Sequence, residues 1–215
     1  MRLFLASSID QTLDIFVQKT KIVPSQTKIA FVDLAAEPYK NKMKLFWVIN
    51  DKKKFLELGF EVEALDLRDL AKNSQLEIQN KLSQFQIIHF CGGHARYLLA
   101  QLHRLRLLSI IKKFVTEDKL IYTGTSAGSM IVAPTLLNLG RLDDEIGESF
   151  SEAEQIGLNL VNFVILPHFN NPDFILSNYD SIQSTNYPYP LIFLNDSQAI
   201  LVEDDKFEIA IKKLL

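Results

Sequence analysis

Ile121-Tyr122-Thr123-Gly124-Thr125-Ser126-Ala127-Gly128-Ser129-Met130 carries an apolar run into Gly-x-Ser-x-Gly and out into small and apolar residues. That succession predicts a strand, a sharp turn and a helix. A serine on such a turn is lifted off the sheet edge with its Oγ exposed, and the flanking glycines are needed because side chains would clash there. The N–H groups that open the following helix point back at the serine, with the positive end of the helix dipole. The pattern is that of an activated nucleophile with half of an oxyanion hole. Its plainer alternative is an ordinary glycine-serine turn.

Upstream of this elbow, apolar strand patterns alternate with helical ones. Strands are predicted at Arg2 to Ala6, Lys28 to Leu34, Glu61 to Leu67, Gln86 to Cys91 and Leu120 to Tyr122. Between them lie a helix capped by Asp10, an amphipathic stretch from about Pro38 to Leu58, a weaker helix over Leu70 to Leu82, and a striped helix over Leu98 to Phe114. Strict alternation argues for a mostly parallel, doubly wound sheet with helices on both faces, a three-layer α/β/α sandwich of flavodoxin-like kind. Ligands in such sheets bind beyond the carboxyl ends of the strands. Ser126, Gly92-Gly93 and Ser7-Ser8 all fall there. Downstream the character changes to short strands at Asn162 to Leu166, Leu191 to Leu194, Ala199 to Glu203 and Lys206 to Ile211. Turns fall at Asn195-Asp196 and Asp204-Asp205, and the last two strands predict a C-terminal β-hairpin.

With 215 residues, no repeat and no linker, one domain over 1–215 is expected. Hydrophobic content of 47% and charged content of 23% are those of a globular chain. A net charge of −3 offers no footprint for nucleic acid. No apolar run approaches the ~20 residues needed to span a bilayer, and the opening Met1-Arg2-Leu3-Phe4-Leu5-Ala6 is too short for a signal peptide. The single cysteine excludes an internal disulfide and a zinc ribbon. A cytoplasmic location and no membrane partner are the expectations.

A serine nucleophile needs a base within hydrogen-bond reach. His103 sits beside arginines on a helix and reads as a solvated face. His89 lies inside an apolar strand and reads as buried. His168 follows Val164-Ile165-Leu166-Pro167 at a strand carboxyl end, the edge that carries Ser126, and is the best candidate base. His94, after Gly92-Gly93, is the reserve base or a substrate contact. The carboxylate that orients the imidazole has many candidates between Ser126 and His168, among them Asp143, Asp144, Glu145, Glu148, Glu152 and Glu154. The glycine pair lets a backbone N–H approach a ligand, so Gly93 and Ala127 are candidate oxyanion donors. Cys91 reads as a buried structural thiol.

These residues resemble peptidase family S51, the serine peptidases that include dipeptidase E and cyanophycinase. The likeness rests on Cys-Gly-Gly-His-Ala-Arg-Tyr-Leu-Leu (91–99), Gly-Thr-Ser-Ala-Gly-Ser-Met (124–130), Pro134 and Leu-Pro-His-Phe (166–169). It implies a class I glutamine amidotransferase-like fold with serine in place of cysteine at the elbow. It also implies Ser126 as nucleophile, His168 as base, Gly93 and Ala127 as oxyanion donors, and a triad carboxylate in the loop after the elbow helix. That last position points to Asp143, then Asp144. The chain departs from the family at His94, where asparagine is usual. It also lacks any arginine after Arg141, and the stretch from Phe169 to Tyr189 has neither arginine nor lysine. Strict specificity for an N-terminal aspartate is therefore not expected. Arg96 is the one residue placed to supply it, and Asn170 is a further candidate substrate contact.

The sequence thus predicts a serine hydrolase acting on short peptides, without metal or organic cofactor, as a monomer or homodimer. The alternatives are amidotransferase or esterase chemistry on the same fold, or a binding domain that kept the elbow.

Overall fold

A computed structural model describes residues 1–39, 45–139, 146–174 and 187–212. Its first half comprises β1 (Arg2–Ala6), α1 (Ile9–Thr20), β2 (Lys28–Val32), α2 (Phe46–Glu57), β3 (Glu61–Ala64), α3 (Leu67–Leu70), α4 (Gln75–Leu82) and β4 (Ile87–Phe90). Then come α5 (Ala95–Arg104), α6 (Leu108–Thr116), β5 (Ile121–Thr125), α7 (Ala127–Met130), β6 (Val164–Leu166), β7 (Leu191–Phe193), β8 (Gln198–Glu203) and β9 (Lys206–Ile211). Seven strands form one sheet in the order β3-β2-β4-β5-β1-β8-β9. The first five in that order are mutually parallel, while β8 and β9 run antiparallel and make the terminal hairpin. β6 and β7 pair separately, in parallel. This is the mostly parallel sandwich that the alternation implied.

Period-2 alternation sorts the strand residues into two cores. Leu3, Leu5, Ile88, Phe90 and Tyr122 pack with α4, α5 and α6 on one face. Phe4, Ala6, Ile87 and Ile121 pack with α1 and α2 on the other. A parallel sheet covered on both faces needs this near-continuous apolar content.

Local chemistry shortens several expected elements. The Leu98 to Phe114 stripe is two helices, because Arg106 takes a left-handed φ of 57° and ends the first. One stripe still serves both, since Leu102 and Ile111 enter the same core. The stretch before Leu82 is likewise divided at Ser74, which makes a capping box with Glu77 at the start of α4. At α1 the N-cap position belongs to Ser8, whose hydroxyl donates to Asp10 at 2.6 Å, so Asp10 sits in the first turn and is not the cap. Among the described residues no helix is long and apolar enough to cross a membrane.

Candidate active site

The strand order puts β5 between β4 and β1, so three carboxyl ends meet at one edge. The elbow there is fixed by steric exclusion. A Cβ on Gly124 would lie 2.6 Å from the Gly128 carbonyl carbon, and one on Gly128 would lie 2.1 Å from the Phe90 carbonyl oxygen. Only glycine allows the turn to close onto itself and onto β4. Ser126 adopts φ 49° and ψ −109°, a conformation a non-glycine residue holds only when its surroundings enforce it. Its N–H donates to the Ala6 carbonyl at 3.0 Å. The buried Ser129 hydroxyl lies 2.8 Å from the carbonyls of both Ala6 and Gly124, tying β1, β5 and α7 together. Because α7 is a single turn of four residues, individual N–H groups matter there, not a macrodipole.

His168 comes from the loop after β6, with φ 59°. Its Nε2 lies 2.9 Å from Ser126 Oγ and its Nδ1 lies 2.6 Å from Asp196 Oδ1. The Ser7 hydroxyl donates to the same Asp196 oxygen at 2.8 Å and accepts the His168 backbone N–H at 2.8 Å. Asn171 donates to Asp196 Oδ2 at 3.3 Å. Phe174 stacks on the imidazole at 4.3 Å between ring centres. Burial works to raise the Asp196 pKa, but the hydrogen bonds from His168, Ser7 and Asn171 outweigh it and hold the carboxyl below its ordinary value. An ionised Asp196 only accepts, so Nδ1 carries the proton and Nε2 presents its lone pair to the Ser126 hydroxyl.

Asp143 and Asp144, the carboxylates expected beside His168, lie outside the described residues; the carboxylate at Nδ1 belongs to Asp196. It comes from the turn before β8. That strand pairs antiparallel with β1, matching Ala199 to Ala6, so its first residues return to the edge where β1 ends. The sequence marked Asn195-Asp196 only as a turn and Ser7 only as a strand-end residue. Both follow from one feature of the fold: a C-terminal strand running antiparallel beside β1 begins at the edge that carries Ser126.

Gly93 follows β4 with φ 148°, and a Cβ there would lie 2.2 Å from the Ala35 carbonyl oxygen. Among the described residues, neither its N–H nor that of Ala127 has a hydrogen-bond acceptor. His94 is 4% exposed; it caps α5, its Nδ1 accepting the Tyr97 N–H at 3.1 Å, and its ring meets Phe150. Arg96 donates to Gln155 Oε1 at 3.0 Å and to the Leu139 carbonyl, binding the segment after α7 to α5. Asn170 is an exposed residue with φ 67° in the turn after His168. His89 is fully buried, its Nδ1 3.0 Å from Thr123 Oγ1. His103 is half-buried on α5, where its Nε2 makes a solvent-exposed contact with the Ile156 carbonyl oxygen at 2.7 Å. Cys91 is buried, and burial pushes its thiol pKa well up.

The comparisons with known proteins agree with this architecture. Over 204 residues the chain is 30% identical to an uncharacterised peptidase of Pasteurella multocida, covering 95% of this chain and 94% of that one. It is 31% identical to a peptidase E of a Nostoc species over 68% of this chain and 54% of the relative. A crystal structure of a Listeria monocytogenes protein assigned as a candidate peptidase E superposes with a TM-score of 0.81 at 25% identity, covering 99% and 98% of the two chains. Residues 3–210 match the family model of peptidase family S51, and by that match the chain belongs to this family of peptidases.

Proposed function

We propose that this chain is a serine peptidase that hydrolyses short peptides through an acyl-enzyme on Ser126. One observation carries the reading: Ser126 Oγ, the His168 ring and Asp196 form a continuous hydrogen-bonded line of 2.9 and 2.6 Å. Ser126 Oγ attacks the scissile carbonyl carbon as its proton passes to His168 Nε2. The N–H groups of Gly93 and Ala127 receive the oxyanion. The C–N bond then breaks, and the departing amine takes the proton from Nε2. Water adds to the acyl carbon and gives a proton to Nε2. The ester C–O bond breaks, and that proton returns to Oγ. Asp196 holds the imidazole in the competent tautomer and stabilises the imidazolium.

Strict preference for an N-terminal aspartate does not follow from these residues. An anionic side chain needs a cationic partner, best a planar guanidinium, and Arg96 is already engaged by Gln155 and the Leu139 carbonyl. The test is labelling with a fluorophosphonate and release of amino acids from a mixed dipeptide library. Wild type should be labelled at Ser126 and should cleave dipeptides, and Ser126→Ala should do neither, losing on the order of 10⁴-fold or more in turnover. Turnover of small esters without dipeptide cleavage would replace peptidase by esterase, and an unlabelled wild type would leave a binding domain.

A further inference from the structure

Trp47 is the chain's only tryptophan and lies on α2, far in sequence from the elbow. Its indole Nε1–H donates to the Gly92 carbonyl at 3.0 Å. The Cys91 thiol donates to the same oxygen at 3.2 Å, and its raised pKa keeps the proton on sulfur. That carbonyl and the Gly93 N–H belong to one peptide unit. In a planar trans peptide the two point in opposite directions, so donors that hold the carbonyl also fix where the N–H aims. Gly92 is where the two sides meet. A Cβ built on it would lie 3.4 Å from Ser126 Cβ and 3.5 Å from Trp47 Cδ1, so indole and nucleophile flank the same glycine.

The helix is placed to serve this. Trp47, Asp51 and Phe55 recur every fourth residue and therefore share one face. Asp51 is 1% exposed and its Oδ2 lies 3.6 Å from His89 Nε2 on β4. Phe55 packs against the His89 ring at 5.0 Å. Three successive contacts thus seat α2 along β4 up to its end, with Trp47 at the last position. A hydrogen bond accepted by a carbonyl also polarises its peptide unit and makes the N–H on the far side a better donor.

We propose that Trp47 is a positioning residue for the oxyanion hole: through the Gly92 carbonyl it aims and polarises the Gly93 N–H toward the oxygen that becomes negative in the transition state. The proposal rests on the serine-peptidase reading above. Its sequence signal is slight, because a tryptophan on an amphipathic helix reads as core.

Trp47→Phe keeps the ring and removes the donor. Removing an oxyanion donor outright costs about 10²–10³ in kcat; losing its aim should cost about tenfold or more, in kcat and in the rate of Ser126 phosphonylation, with KM little changed. A kcat within about threefold of wild type, or a raised KM at unchanged kcat, overturns the proposal. Should the variant not fold, wild type carries the test. In ¹⁵N-labelled protein the single indole N–H resonance should move downfield when a fluorophosphonate adduct on Ser126 takes the Gly93 N–H, because the Gly92 carbonyl then becomes a stronger acceptor. A resonance that stays put or moves upfield overturns it. A wild type that takes up no fluorophosphonate removes the serine reading itself, whereas labelling at equal rates in wild type and Trp47→Phe removes only the role of Trp47.

Discussion

The elbow and the His168–Asp196 pair lie within hydrogen-bond distance of each other but are held in place in different ways. The elbow is local. Gly124 and Gly128 lie four residues apart, and the atoms that forbid a Cβ there belong to the same turn or to the neighbouring strand β4. His168 and Asp196 are held by a hydrogen-bond network that spans the chain. Ser7, 161 residues from His168 and 189 from Asp196, bonds to both. Excluded volume shapes the turn at Ser126, and bonds hold His168 and Asp196. Substitutions should therefore fail differently on the two sides. An elbow change should cost stability together with activity, and a change on the acid side should cost activity in a protein that stays folded.

The sharpest break on the acid side is Asp196→Asn. An amide can donate to Nδ1, which favours the tautomer with the proton on Nε2, where it cannot accept from serine. We expect a fall in kcat on the order of 10⁴-fold in a protein that is still folded at pH 7. Asp143→Asn should leave kcat within about threefold. Steady-state kinetics on the preferred dipeptide decides between the two carboxylates. An inert Asp196→Asn beside an inactive Asp143→Asn would falsify the assignment and restore the expectation from family likeness.

The corresponding break in the elbow is Gly128→Ala. Its Cβ would meet the Phe90 carbonyl oxygen at 2.1 Å, an atom of the β4 backbone that cannot rotate away. Overpacking of a rigid site typically costs 1–3 kcal/mol, so about 3 kcal/mol or more is expected here. Gly59→Ala is the control: φ is 93° but nothing lies within 4 Å of the new Cβ, so only backbone strain of about 1–2 kcal/mol applies. Chemical denaturation measures both. Equal losses would mean that excluded volume does not define the elbow.

The same contrast explains what could be read in the sequence. The sandwich, the elbow, the glycine pair and His168 were legible because each depends on contiguous residues: alternation, small-residue spacing, or an apolar run ending in Pro-His. Asp196 was not, because its place depends on β8 lying antiparallel beside β1, a partnership no local pattern declares. Asp196 also lies beyond His168 in the chain, outside the stretch that holds Asp143 and Asp144. Trp47 was hidden for a related reason. The role proposed for it rests on the Gly92 carbonyl pointing at α2.

The smallest effect, and the most telling about the network, belongs to Ser7→Ala. Ser7 touches neither the nucleophile nor the reacting proton; it donates to Asp196 and accepts from the His168 backbone. Its loss frees the loop that carries His168 by one bond and weakens the hold on the Asp196 carboxylate by another. We expect kcat to fall about tenfold, roughly 1.4 kcal/mol, with KM unchanged. The stability effect has a definite sign in pH. The Ser7 hydroxyl is among the groups that lower the Asp196 pKa beneath its ordinary value of 3.8. A depressed carboxylate pKa contributes stability above the unfolded value, and that contribution is lost as pH falls through the folded one. The wild-type advantage over Ser7→Ala in melting temperature should therefore be full at pH 7 and shrink as the pH drops below 3.8. The bond to the His168 backbone, which does not titrate, remains as the residue of that advantage in acid. A gap that stays constant or widens toward low pH would show that Ser7 acts through the His168 loop alone, and that the ionised Asp196 is held by His168 and Asn171 without it.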